Sequence, residues 1–142
     1  MKIFICQVCG HIEFGSAPEN CPVCFAKKFN QNDSVFEESM EKSKEGAVKH
    51  IPDVKINKEC GLIPESACTD VLVRIGKTLH PMMENHYIQW IDCYLDDRYV
   101  SRIMLTPDTH PSVVFHLKSE GSKVTVIEFC NLHGHWKTDT SL

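Results

Sequence analysis

The sequence predicts a mainly β fold, a seven-stranded β-sandwich with a small metal-knuckle domain in front of it. Three observations carry that prediction. Beyond Val54 the chain breaks into short segments of β-branched and aromatic residues with period-two alternation, and turn residues separate them. Ahead of them, Cys6, Cys9, Cys21 and Cys24 form two C-x-x-C pairs. A polar, charged stretch with Val35, Phe36 and Met40 as its main apolar residues lies between and marks the boundary. The division is residues 1–32, a linker over 33–46, and residues 47–142.

Composition sets the limits. A chain of 142 residues, 42% hydrophobic and 24% charged, buries one fair-sized core plus a satellite, so one to two domains are expected. The formal net charge of -4 and the lack of a basic stripe argue against nucleic acid as a partner. Met1–Ile5 is too short for the apolar region of an export signal, and no later run is long enough to span a bilayer. The expectation is a cytoplasmic protein with no membrane partner. In that setting eight cysteines read better as metal ligands and thiols than as a disulfide scaffold.

In chain order, Lys2–Ile5 is an apolar strand running into the first knuckle. The two pairs offer four thiolates for a tetrahedral site, which suits zinc or a single iron, and Gly10, Gly15 and Pro18 let the chain fold back between them. Asp33-Ser34 starts a short helix expected over Ser34–Glu45 and ended by Gly46; its charges form a solvated face. The strands then follow: an edge near Val54–Ile56, Val71–Ile75, Tyr87–Leu95, Arg98–Leu105, Ser112–Lys118 and Lys123–Cys130. Gly76, Asp96-Asp97, Pro107-Asp108 and Glu120-Gly121 punctuate them. Counting edges, this is an immunoglobulin-like sandwich of seven strands.

Eight histidines must be placed on that scaffold. His50 stands between Lys49 and Ile51-Pro52, His80 precedes Pro81, which forces extended backbone, and His86 opens an aromatic strand. Cys130 ends an alternating strand and His133 follows it in a glycine-containing loop. His110-Pro111 lacks a second histidine six residues on and is assigned to a loop; His116 and His135 are assigned structural roles. Cys60, Cys68 and Cys93 have no partner spacing and are expected to stay as thiols.

The first segment, with Cys9-Gly10, Phe14 and Pro-Glu-Asn-Cys-Pro-Val-Cys, resembles over residues 1–30 the rubredoxin-like domain attached to rubrerythrins. The resemblance implies a one-electron iron on Cys6, Cys9, Cys21 and Cys24. Phe25 replaces the glycine usual after the last cysteine, which leaves a distorted second knuckle and a structural zinc ribbon open.

The later motifs, Lys-His-x-Pro, His-Pro-Met-x-x-x-His-Tyr-Ile-x-Trp-Ile and Glu-Phe-Cys-Asn-x-His-Gly-x-Trp, resemble the superoxide reductases, the neelaredoxin and desulfoferrodoxin group, over residues 47–137. That resemblance implies a non-haem iron with His50, His80, His86 and His133 equatorial and Cys130 axial, opposite an open position. It implies superoxide as substrate, one-electron reduction to hydrogen peroxide without O2, and Lys49 as the cation that attracts the anion. An external donor such as rubredoxin or its reductase would re-reduce the iron, and the assembly would be a homodimer or homotetramer. The family's glutamate ligand before Lys-His is replaced by Val48, so the oxidised site is expected to lack a carboxylate unless Glu45 reaches in. Two other readings remain open from the residues: a non-catalytic two-iron electron carrier, and a zinc-ribbon interaction module on a degenerate sandwich.

Overall fold

The computed structural model describes residues 1–43 and 46–142. Three short strands, β1 (Ile3–Cys6), β2 (Ile12–Phe14) and β3 (Phe29–Gln31), form an antiparallel sheet in the order β2-β1-β3. Two helices follow, α1 (Val35–Lys42) and the single turn α2 (Ala47–His50). The remaining strands are β4 (Pro52–Asn57), β5 (Thr69–Ile75), β6 (Ile88–Leu95), β7 (Arg98–Met104), β8 (Ser112–Leu117), β9 (Lys123–Cys130) and β10 (Gly134–Ser141). They make two antiparallel sheets, β10-β9-β6-β7 and β4-β5-β8, so the seven-stranded sandwich is as predicted. Among the described residues no helix is long and apolar enough to cross a membrane.

The four-stranded sheet is covered on both faces, which is why β6 and β9 read as nearly continuous apolar runs. Ile91, Cys93 and Leu95 of β6, with Val124, Val126 and Cys130 of β9, face Val71, Val73, Ile75, Phe115 and Leu117 of the other sheet. The alternate residues Trp90, Tyr94 and Ile127 form a second core with Ile3, Ile12, Val35 and Phe36. Ile88 joins the first core despite its even number, because the β6–β9 register shifts between Ile88 and Trp90 and the bulge flips the side-chain parity.

α1 begins as the sequence predicts, after Ser34, but ends at Lys42. Glu45, in the expected last turn, lies outside the described residues. The helix is amphipathic: Val35, Phe36 and Ser39 are buried against the sandwich while Glu37, Glu38 and Glu41 face water. Four elements were not in the sequence reading: the three-residue strands β2 and β3, α2 and β10. β10 is polar and charged along most of its length, and α2 is one turn only.

One expectation is overturned. Cys60 and Cys68 are joined as a disulfide, while Cys93 stays a buried thiol. The antiparallel β4–β5 ladder runs to Asn57↔Asp70, so residues 58–68 are a hairpin connection whose two limbs carry these cysteines. A separation of eight residues gives no sign of that closure in the sequence.

Candidate metal centres

Five side chains from separate parts of the chain converge at one end of the sandwich. His50 ends α2, His80 and His86 lie in the connection from β5 to β6, Cys130 ends β9, and His133 sits in the turn to β10. One ligand atom from each falls in a single group within 4.8 Å of one another.

Local structure fixes each ring. The His50 Nδ1–H donates to the Gly46 carbonyl at 2.7 Å, which turns Nε2 inward. The His80 Nδ1–H donates to the Pro81 carbonyl at 2.6 Å with the same effect, and its backbone N–H donates to Ile75 at 3.1 Å. His86 and Met83 exchange backbone hydrogen bonds of 2.9 and 3.0 Å. Asn131 clamps that connection to the Cys130 turn, accepting from the Tyr87 N–H at 2.9 Å and donating to the Asn85 carbonyl at 3.0 Å. Gly76, at φ +86°, passes so close to the Lys49 carbonyl that a Cβ would collide with backbone, so this glycine lets α2 lie against the His80 turn.

The four imidazoles close a ring. Neighbouring centroids are 4.7 Å apart for His50–His80, 4.7 Å for His80–His86, 5.1 Å for His86–His133 and 4.8 Å for His133–His50, and each pair is steeply inclined, at 72 to 80°. Each ring therefore presents an edge nitrogen toward a common centre in square order. Cys130 is fully buried, with its Sγ 3.7 Å from His133 Nδ1, while His86 and His133 are half-buried.

The donor atoms are those of a metal site. His50 Nε2 and His133 Nδ1 face each other at 3.1 Å, and the buried His80 Nε2 and His86 Nε2 have no hydrogen-bond partner among the described residues. Unpaired buried nitrogens are costly, and one cation satisfies them together. Burial lowers His50 and His86 and brings His80 down to about 4, so these three rings are held in the neutral, ligating form. Burial raises Cys130, opposed by the backbone N–H groups of Leu132 and His133, which point at the sulfur. Four imidazoles and a thiolate exceed the tetrahedron zinc prefers and suit iron.

Residues that hold this ring were less legible in the sequence. The Trp136 indole stacks on His50 at 4.8 Å and donates Nε1–H to the His133 carbonyl at 3.1 Å. Lys49 is exposed beside His50, and its positive charge contributes to lowering His50 and His86. Val48 is exposed, and among the described residues no carboxylate joins the five-ligand group. Glu128, two residues before Cys130, is a fully buried carboxyl without a partner among the described residues, and burial pushes it well above its usual range.

The second centre is in the N-terminal unit. Cys6 and Cys24 lie with sulfurs 3.6 Å apart, as do Cys9 and Cys21, and all four belong to one group. The second knuckle keeps its turn despite Phe25, which adopts φ +65° while its N–H donates to the Cys21 carbonyl at 2.8 Å. Burial would raise Cys6, but the backbone N–H groups of Cys9 and Val8 together with the neighbouring sulfurs of Cys24 and Cys9 outweigh it and hold this thiol at about 7; burial raises Cys9 and Cys21.

This unit is docked by polar contacts. The His135 Nε2–H donates to the Gly10 carbonyl at 2.8 Å. Buried His11 bridges Asp92 and Glu13, and Arg102 pairs with Asp92 at 2.6 Å and donates to the Cys9 carbonyl at 3.1 Å. His135 thus keeps the structural role expected of it and His110 its exposed loop position, whereas His116 pairs with Asp70.

Comparison with known proteins agrees with this geometry. A family model for desulfoferrodoxin matches residues 39–139, and one for the rubredoxin-like domain of rubrerythrin matches residues 4–30. The chain is 33% identical over 141 residues to a desulfoferrodoxin of Desulfarculus baarsii, covering 98% of this chain and 96% of that one. It is 32% identical over 106 residues to a superoxide reductase of Pyrococcus abyssi, covering 66% and 87%. Among solved structures, the superoxide reductase of Nanoarchaeum equitans aligns with TM-score 0.55 and 30% identity over 66% of this chain and 93% of that one. The superoxide reductase of Treponema pallidum shares the fold with TM-score 0.60 and 24% identity over 91% and 93%. The two ligand sets fit the iron sites of desulfoferrodoxin, and the chain belongs to the desulfoferrodoxin family, with a rubredoxin-like unit at its N-terminus.

Proposed function

We propose that this protein is a superoxide reductase, catalysing the one-electron reduction of superoxide to hydrogen peroxide. The observation that supports this most is the square of four imidazoles over a buried Cys130 thiolate, with the half-buried His86 and His133 and exposed Lys49 on the solvent side. His50, His80, His86, His133 and Cys130 would hold a ferrous ion, and such an ion would supply the one electron. The balance is superoxide plus one electron plus two protons giving hydrogen peroxide.

The chain's own residues divide the remaining work. Lys49 attracts the anion and steers it to the open face, a term that weakens as salt rises. Neutral imidazoles leave the ligand set with only the charge of one thiolate, so a divalent ion there stays net positive. The Leu132 and His133 backbone N–H groups withdraw density from the Cys130 sulfur and so would tune a metal bound to it. With Val48 at the position before Lys49-His50, the oxidised site takes no carboxylate from that residue. The ferric spectrum tests this, and a bound carboxylate would contradict it.

An external reductant restores the electron; a rubredoxin-type donor suits the one-electron chemistry. The N-terminal four-cysteine unit is read as an iron site of the same kind. The protein is expected to act in the cytoplasm as a homodimer or homotetramer. The second reading, a non-catalytic two-iron carrier, makes no use of the open face or of Lys49. Cys130→Ser decides between them: loss of peroxide formation from superoxide with the four-cysteine spectrum intact supports the reductase, and full retention of activity contradicts it.

A further inference from the structure

A third set of metal-ligating side chains lies at the other end of the sandwich. In the β4–β5 ladder the iron-binding end is at Pro52↔Ile75 and the far end at Asn57↔Asp70. At about 3.4 Å per residue the two ends are roughly 17 Å apart. At the far end, Cys60 and Cys68 on the hairpin connection, Asp70 on β5 and His116 on β8 place one ligand atom each within 4.8 Å of one another.

Each member is positioned by the fold. Asp70 and His116 are direct cross-strand partners, and the His116 Nδ1–H donates to Asp70 Oδ1 at 2.6 Å. The Cys68 Sγ lies 4.0 Å from that same oxygen. Cys60 and Cys68 are linked across a Cα separation of 5.4 Å. The side chains of His116 and Asp70 are 31% and 14% exposed, so ions and small oxidants reach the cluster from solvent.

The geometry points to a redox-gated site for a zinc-class divalent cation, formed by Cys60, Cys68, Asp70 and His116. Two thiolates, one imidazole and one carboxylate are the four donors of a tetrahedral centre. The Cα separation that suits a disulfide also allows both sulfurs to bind one ion once the bond opens to a spacing like the 3.6 Å of the four-cysteine site. The two states exclude each other, because the electron pairs that would bind the cation are spent in the S–S bond.

The oxidant is hydrogen peroxide, and the step balances. Two thiolates, one peroxide and two protons give one disulfide and two waters, and the cation leaves. A dithiol reductant reverses it by exchange, becoming a disulfide itself while the two cysteines are freed. The metal site itself does not rest on the superoxide chemistry of the other end, and its binding test uses no superoxide.

The test uses the full iron-loaded chain, reduced with a phosphine and titrated with zinc, with bound metal read by native mass spectrometry. Reduced protein should take one zinc beyond its iron complement. Cys60→Ser and Cys68→Ser should take none, and His116→Ala should weaken the site by at least about tenfold, the lower bound set by losing a mere supporting contact. Peroxide should expel the zinc and leave a protein two hydrogens lighter than its reduced, zinc-free form. Unchanged visible bands from both iron sites report that each variant is folded. Zinc uptake no greater in reduced wild type than in Cys60→Ser, or zinc retained after the disulfide forms, would overturn the proposal and leave a purely structural disulfide.

Discussion

Phe25 shows what one residue can cost a metal knuckle. It holds φ +65° in the turn after Cys24 while its side chain is 75% exposed, so the strain is not offset by packing. A non-glycine residue in that region costs on the order of 1–3 kcal/mol, against about 0.5–1 kcal/mol for the extra unfolded-state freedom of glycine. Phe25→Gly should therefore stabilise the N-terminal unit by about 1 kcal/mol in denaturant unfolding followed at the four-cysteine site. Trp136 is the opposite case, buried and paired. Trp136→Phe keeps a ring against His50 but removes the donor to the His133 carbonyl. It should lower iron affinity about 10- to 100-fold, as loss of a supporting hydrogen bond does at other metal sites; metal competition with a chelator checks it. The ligands themselves were legible because His50, His80, His86, Cys130 and His133 stand in long ordered motifs. Trp136 stood in the same motif, but its stacking depends on where α2 ends, which no spacing encodes.

Among the elements, those with a dry face were visible and those with a borrowed one were not. β5, β6 and β9 announce themselves by alternating or continuous apolar residues. β10 carries His135 and Trp136 as its buried pair and is otherwise half-buried or exposed, so its hydrogen bonding to β9 stabilises it more than its own pattern. Helix α1 was predicted as a linker element, yet Phe36 is 8% exposed inside the core shared with Ile3, Trp90 and Tyr94. Phe36→Ala should cost about 3–5 kcal/mol of stability while leaving the five-ligand spectrum of folded protein unchanged, which chemical unfolding and the visible spectrum together would show. The Cys60–Cys68 closure belongs to this scale too, being made by the hairpin between β4 and β5 and not by either residue's neighbours in sequence.

At the scale of the whole molecule, two units share the four-stranded sheet, and their seam is ionic as well as apolar. Burial opposes protonation of His11, but Asp92 and Glu13 outweigh it and raise His11 above its usual 6.5. Its stabilising contribution is therefore complete below the unfolded value of 6.5 and is lost as pH rises through the folded value. Buried Glu128 acts in the same direction from its own unfolded value upward, so the comparison must be between variants. Stability should fall as pH rises above 6.5 in wild type, and His11→Gln should flatten that portion of the profile; an equal slope in both would contradict it. The chemistry proposed for the molecule centres on one reaction at the histidine ring. Its most direct test is the stoichiometry of superoxide consumed by the reduced, iron-loaded protein supplied with an electron donor. One peroxide per superoxide with no O2 is the predicted result, and one peroxide with one O2 per two superoxides, or no consumption at all, would contradict it.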